Sequence, residues 1–599
     1  MKKVIFEKLN FINLIPIILF RIIGYEIFYI KIEKYLQKLI FINLLKKIKI
    51  YWFNYQDYNL NGIETLQMKS YLSYAEIISN TIANKFCNKS IAEKFFNEDF
   101  FKGSIEFNLK NKIFSAIEIA EIYKFLKYQN IDIKCYVWSD NSFVNNFIFK
   151  RYIIKNININ KFQFLELFPT FLFYFIKLSK FFFIQGKPAV LASETSDEKL
   201  NKTKTVYFPH DILTSGLYIK DFFYSNKKDH PFYPSNILHI EWNKSYLPER
   251  NKKHYKDKNI NYLIWQDLYQ QKSFKNLINY IFNKRSLFIK LLFWDYDIFK
   301  IICSSIFKIN KSDLFCQKYP EIKYILSGHN DLFPPEILIT AKKRKIISIS
   351  LEDRLLTSFW SSRVLFEVFF SSGPLSKKNI QKKIFKNINN TIAEGFLIKS
   401  LNIKNNQFIK KNHNFQCLVS DFHTDRHWYS NGINKINNQR LNKDFYEQVL
   451  RLALKFDNID FLIKSKSYEW VDQHYLSKTV HKINETSNVK ILKNQEKWTP
   501  KFTADFCHFS FGLHSSLMDE MFAANKPIII YTPHLYPTKI LNYGVELTAS
   551  TLNDAVEKIK KLTNNYDEYN KNLDKKRSLL FYKNNENKIS NQIDNILKL

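Results

Sequence analysis

The sequence predicts an α/β chain of two doubly wound domains, the first enlarged by a helical insertion. Three observations carry this. The 599 residues exceed what one ordinary core holds. Short apolar runs bounded by turns alternate with stretches of helical period, the pattern of parallel sheets covered by helices. The composition, 46% hydrophobic and 17% aromatic, supplies ample burial and excludes global disorder.

Taken in order, Lys3–Phe6 reads as a strand, Ile12–Ile23 as an apolar helix stopped by Gly24, and Tyr25–Ile32 as an alternating strand. Lys34–Lys47 has the period of an amphipathic helix and Ile48–Phe53 that of another strand, completing β-α-β-α-β, the opening of a doubly wound sheet. Residues 60–200 form the helical insertion, containing one strand near Ile131–Trp138. Strands are then expected at Thr205–Phe208, Ile237–Trp242, Tyr262–Trp265, Tyr324–Ser327, Lys345–Ile349 and Val364–Phe370. Ser371-Ser372-Gly373-Pro374 breaks the pattern, and Ala393-Glu394-Gly395-Phe396 reads as a further turn. A polar, basic stretch at Lys404–Asn414 places the boundary near residue 400, giving domains 1–400 and 401–599.

The last third alternates most regularly. Strands are expected at Gln416–Ser420, Ile459–Lys464, Val489–Leu492, Phe506–Phe509 and Pro527–Tyr531. Helices are expected at Asn442–Phe456, Trp498–Phe502, Ser515–Glu520 and Asp554–Thr563, before a Lys/Asn-rich tail. In such a sheet ligand sites lie beyond the carboxyl ends of the strands.

A net charge of +34 points to anionic ligands or an anionic membrane face, although much of the Lys, Asn, Ile and Phe excess reads as compositional bias. No zinc-finger, RNP or helix-turn-helix signature accompanies the charge, so nucleic acid is not an expected partner. Six scattered cysteines without a CxxC pair argue against a disulfide framework or a zinc site and fit a reducing, cytoplasmic setting. The Met-Lys-Lys start and apolar run Phe11–Phe20 lack a small-residue cleavage site and read as mature protein. Phe164–Ile184 is long enough to span a bilayer but contains Glu166, Pro169, Lys177 and Lys180; it reads as a broken buried helix pair, or as an interfacial helix. Ser286–Ile309 is more clearly amphipathic, and neither segment reads as spanning.

Four strand-end loops of the last domain carry polar residues: His423 to His427 around Arg426, Lys464 and Lys466, Gly512 with His514, Ser515 and Ser516, and the helix containing Glu520. A pyrophosphate needs cations and N–H donors, which Arg426, Lys464, Lys466 and the helix start at Ser515 supply. A ribose needs an acceptor such as Glu520. Taken singly, the serines are ordinary helix caps and Glu520 an ordinary helix residue; the order of the loops is what singles them out. His423 and His427 have a metal-ligand spacing on a helix, but this segment reads as loop, so no metal is expected.

The segment SSLMDEMFAANKPIIIYTP resembles the C-terminal signature of GT-B glycosyltransferases at Ser515, Ser516, Glu520, Asn525 and Pro527. Asn525 stands where the family usually has Gly, a mild departure because Asn tolerates the left-handed conformation. The resemblance covers roughly Gln416 to Leu562, and the IKSKS stretch is similar to the basic loop of the capsule and teichoic-acid branches. It implies two Rossmann-like domains of GT-B type, with serine contacts to phosphate and Glu520 on the ribose of a nucleotide-sugar donor. It implies no bound metal or cofactor, and a surface glycan as acceptor; the basic surface and aromatic segments are expected to hold the chain at the inner membrane face, near a lipid-linked acceptor. Sugar-nucleotide 2-epimerases share the architecture, and a non-catalytic module of a glycan-assembly complex is a further alternative. An inverting transfer needs a base for the acceptor hydroxyl. The candidates are His329, with Asp331 in the same loop, then His210 and the Glu352-Asp353-Arg354 stretch; Gly328 permits close ligand approach.

Overall fold

A computed structural model describes residues 2–9, 11–32, 50–52, 63–128, 134–139, 142–154, 203–208, 225, 227–242, 255–256, 260–265, 268–327, 333–352, 364–381, 391–395, 414–420, 439–465, 468–472, 476–493, 500–513, 515–531, 544–582 and 586–597. Its strands form three sheets, and every strand pair in them is parallel.

The first sheet contains β1 (Lys2–Leu9), β2 (Glu26–Ile32), β3 (Ile50–Trp52) and β4 (Lys134–Trp138), in the order β3-β2-β1-β4. Between β1 and β2 runs α1 (Phe11–Ile22), stopped by Gly24 at φ +91, a conformation open to glycine. Helices α2 (Ile63–Phe86), α3 (Lys89–Lys94) and α4 (Glu98–Tyr128) precede β4, and α5 (Phe143–Arg151) follows it. The opening strands, expected to begin a doubly wound sheet, close with β4 into a four-stranded sheet of their own.

One face of this sheet packs Phe6 against Phe20 of α1 and stacks it on Trp138. The other face sends Ile5, Phe28 and Val137 into a helical layer that also receives Val206, Phe208, Leu238 and Ile325 from the second sheet. A helical insertion between two sheets has apolar residues on most of its circumference for this reason. At the centre of the layer the fully buried Glu336 accepts hydrogen bonds from Ser305 Oγ at 2.7 Å and from Ser104 Oγ and Asn108 Nδ2 at 3.1 Å.

The second sheet contains β5 (Thr205–Phe208), β6 (Ile237–Glu241), β7 (Asn261–Ile264), β8 (Tyr324–Ser327), β9 (Ile347–Leu351), β10 (Val368–Ser371) and β11 (Thr391–Glu394), in the order β11-β10-β9-β8-β5-β6-β7. Helices α6 (Gln270–Asn283), α7 (Arg285–Trp294), α8 (Tyr296–Lys318), α9 (Pro335–Lys343) and α10 (Pro374–Gln381) connect and cover its strands. The third contains β12 (Phe415–Ser420), β13 (Ile459–Lys464), β14 (Val489–Ile491), β15 (Phe509–Gly512), β16 (Ile528–Tyr531) and β17 (Thr548–Ala549), in the order β14-β13-β12-β15-β16-β17. Its helices are α11 (Gln439–Ala453), α12 (Ser477–Glu485), α13 (Pro500–Phe506), α14 (Ser516–Ala523), α15 (Gly544–Leu547) and α16 (Leu552–Asn564). In every sheet the first strand lies inside, the chain builds outward on one side, then crosses back and builds the other. This is the doubly wound, Rossmann-like order, with a switch point beside the first strand.

The tail is helical: α17 (Tyr566–Asn572), α18 (Asp574–Leu580) and α19 (Glu586–Leu597). The last helix returns to the second sheet. Ile593, Ile596 and Leu597 pack with Leu326, Ile349 and Phe370. His230 Nδ1 accepts from the Phe232 amide at 3.0 Å, so its Nε2 carries the proton donated to Asp594 at 3.2 Å, and Gln592 Nε2 donates to the Glu394 carbonyl at 2.9 Å.

Several boundaries differ from expectation. Ala393 and Glu394, expected to open a turn, are instead the last residues of the edge strand β11. Lys345 sits in a left-handed turn at φ +58, so β9 begins at Ile347. The apolar run after Ala504 divides between the end of α13 and β15, which moves that strand to Phe509–Gly512. The segments Lys34–Lys47 and Phe164–Ile184 lie outside the described residues. Among the described residues no helix is long and apolar enough to cross a membrane.

Candidate functional site

The switch point of the third sheet lies between β12 and β15, where Ser420 and Gly512 are register partners. The two strands approach so closely that a Cβ on Gly512 would stand 2.0 Å from the Ser420 carbonyl oxygen. Ser420 also pairs with Lys464 at the end of β13. One edge therefore brings together Ser420, Lys464 and Gly512, and the chain continues from Gly512 into α14.

Ser515 occupies the N-cap of α14 with extended backbone angles, and its carbonyl accepts from the Met518 amide at 3.1 Å. Its side chain makes no capping hydrogen bond; the hydroxyl instead meets Ser420 Oγ at 2.5 Å, across the switch point. An ordinary serine cap would satisfy one of the first-turn amides. Here the hydroxyl holds the helix start against β12, and the amide end of α14 is not closed by it. Glu520 lies one turn further in, buried at 4% exposure, with Met518, Met521 and Phe522 anchoring the helix in the core.

The far end of α14 is closed tightly. Asn525 adopts φ +67, the left-handed position that the sequence predicts there, while Lys526 N donates to the Met521 carbonyl at 2.9 Å. Lys526 received no role from the sequence. Its ammonium is buried and donates to the carbonyls of Ala504 (2.7 Å), Asp505 (2.9 Å) and Cys507 (2.5 Å), closing the end of α13. It is a structural cation; burial lowers its pKa to about 8. Arg577 Nε likewise donates to the Phe522 carbonyl at 2.8 Å, with the guanidinium 4.7 Å from the Phe522 ring.

On β13, Lys464 Nζ reaches the Ser465 carbonyl at 3.5 Å and lies 5.6 Å from the Tyr468 ring. Ser465 is buried and accepts from Trp470 Nε1 at 2.9 Å, and Trp470 stacks on Tyr446 at 4.2 Å. This anchors the turn after β13. Below it, burial pushes the Cys507 thiol up to about 12 and raises that of Cys417, so both are held protonated inside the sheet. All six cysteines are free.

Of the sequence-selected donor residues, Ser515, Glu520 and Lys464 are described, as is the backbone of Ser516. Arg426, Lys466 and His514 lie outside the described residues. So do the catalytic candidates His329, Asp331 and His210, and the His423–His427 stretch. Phe208 and Ser327, the last residues before the segments carrying His210 and His329, are register partners at the switch point of the second sheet. Glu352 is fully buried and accepts from the Ser372 amide at 2.8 Å, from Ser372 Oγ at 2.7 Å and from Ser376 Oγ. It fixes the start of α10, a role unlike that of a base open to substrate. Among the described residues no group of three His, Cys, Asp or Glu is placed to hold a metal.

No protein-family model and no curated protein sequence matches the chain. Among solved structures it is similar to UDP-GlcNAc 2-epimerase from Neisseria meningitidis bound to UDP-GlcNAc: 12% identity, TM-score 0.41, 66% of this chain and 100% of that one. UDP-GlcNAc 2-epimerase from Methanocaldococcus jannaschii, in complex with UDP-GlcNAc and UDP, gives 13% identity and TM-score 0.37 over 66% of this chain and 99% of that one. The Glycosylation Associate Protein (Gap123) complex from Streptococcus agalactiae gives 9% identity and TM-score 0.29 over 49% and 55%. At this distance, function is to be argued from the chain's own residues.

Proposed function

We propose that the chain is a metal-independent glycosyltransferase of GT-B type. It binds a nucleotide-activated sugar at the carboxyl edge of the third sheet and passes the sugar, or a sugar-phosphate-like unit, to a surface polysaccharide or lipid-linked glycan. The observation that carries this reading is the Ser515–Ser420 contact at the switch point. It seats a helix start beside the first strand without using the hydroxyl as a cap. Helix amides at a switch point suit a diphosphate. Lys464, with Lys466, Arg426 and His514, supplies the remaining donors, Ser516 assists at the helix start, and Glu520 accepts from the ribose. In the first half, His329 takes the proton from the acceptor hydroxyl as its oxygen bonds to the anomeric carbon and the nucleoside diphosphate leaves; His210 and Asp331 are the neighbouring candidates.

The test is a thermal-shift screen of the full chain against nucleoside mono- and diphosphates and their sugars. A ligand bound by the native state alone raises the melting temperature. We expect a response to a nucleoside diphosphate; none with any nucleotide would overturn the reading. Turnover of the responding nucleotide sugar without an acceptor would mark an epimerase instead.

A further inference from the structure

Residues 270–294, the segment of α6 and α7, contain five Lys or Arg and no Asp or Glu. The two helices are joined through the single residue Lys284. One side of the corner is deeply anchored: Leu277, Phe288 and Leu291 are buried in the helical layer. The other side is apolar as well. Phe282, Ile289 and Phe293, spaced seven and four residues apart, are 70%, 52% and 86% exposed. An ordinary amphipathic helix puts polar residues on that face. Lys284, Arg285 and Lys290, in the same stretch of chain, are exposed as well.

The surface continues beyond the corner. Trp294 stacks obliquely on Phe143 at 4.7 Å, Phe143 meets Phe147 at 5.9 Å, and Arg151 covers Phe147 at 4.9 Å. The exposed Lys85 sits 4.4 Å above Trp294. Aromatic rings near the surface are thus repeatedly bordered by cations, the composition suited to headgroup depth.

We infer that the α6–α7 corner is a peripheral docking surface for an anionic lipid bilayer. Phe282, Ile289 and Phe293 insert at the headgroup–acyl boundary, and Lys284, Arg285 and Lys290 meet lipid phosphates. Charge complementarity decides the occupant. A stretch with five cations and no Asp or Glu among residues 270–294 repels a second copy of itself. It suits a surface of fixed negative charge. This assignment is independent of the nucleotide reading.

The experiment is co-sedimentation of the full chain with vesicles of phosphatidylcholine, with and without phosphatidylglycerol. We expect capture by the anionic vesicles alone, reversed by salt. Phe282→Ser with Phe293→Ser should abolish capture at an unchanged melting temperature, since both side chains are exposed. Lys284→Gln, Arg285→Gln and Lys290→Gln together should weaken capture by about a hundredfold, at roughly 1 kcal/mol per cation. The proposal fails if the wild type stays in the supernatant, or if the Phe282/Phe293 variant binds normally. It also fails if capture is lost on changing Ile22 and Ile23, the exposed aliphatic pair at the end of α1, while the α7 variants still bind. A concentration-dependent dimer in the wild type, absent from the Phe293→Ser variant, would assign the face to a second copy and overturn it too.

Discussion

The backbone of Leu580 crosses Gly373 so closely that a Cβ on Gly373 would stand 1.9 Å from the Leu580 carbonyl oxygen. Beside this crossing the Tyr582 amide donates to the Ser372 carbonyl at 2.9 Å. The second sheet's α10 and the tail helix α18 are therefore fastened backbone to backbone. Gly373→Ala should lower stability by about 1–3 kcal/mol, the usual cost of overpacking. Urea unfolding followed by tryptophan fluorescence checks this, and an unchanged midpoint would mean that the crossing yields freely.

Asn525 holds a left-handed turn at φ +67 between α14 and β16. Asn525→Ala should cost about 1 kcal/mol, because a Cβ without a local polar group is disfavoured there. Asn525→Gly should be neutral or better. Equal effects of the two substitutions in thermal denaturation would contradict the backbone explanation.

His508 predicts a pH dependence. Its Nδ1 accepts from the Gln416 amide at 2.9 Å, and burial, then the nearby Lys526 ammonium, holds its pKa below the ordinary 6.5. The unfolded chain thus binds the proton at a higher pH than the folded one. The stability tied to the neutral ring is present above about 6.5 and is lost as the pH falls through the folded value. His508→Asn, which keeps an acceptor near the same position, should flatten the slope of unfolding free energy against pH in that window. An unaltered slope would remove His508 as its source.

For the proposed donor site, Glu520→Gln keeps the shape and removes the charge. It should weaken binding of the responding nucleoside diphosphate about 10- to 100-fold, as loss of a charged hydrogen bond does. Isothermal titration checks this; wild-type affinity would exclude Glu520 from ribose contact.

The strands of the third sheet were legible because they are short apolar runs between turn residues, and their order gave the strand-end loops. What escaped has physical causes. The β11 strand, Thr391–Glu394, lies at a sheet edge and carries an exposed Thr391 and a charged Glu394, so no apolar run marks it. In the tail, Ile593, Ile596 and Leu597 form an apolar stripe diluted by Lys and Asn. Nothing in a sequence with 90 Lys and Arg distinguishes the buried Lys526 from the solvated majority. The carboxyl group of Glu352 has the sequence position of a strand-end base, but it is engaged by Ser372 and Ser376, which lie 20 and 24 residues away in the chain.

The return of α19 has a consequence for biosynthesis. Ile593 completes an apolar layer otherwise built from residues 207–393. Residues 586–597 are synthesised after every strand of the third sheet, so that layer cannot close until residues 414–582 have been made. The second sheet must wait, partly uncovered, until the third has emerged.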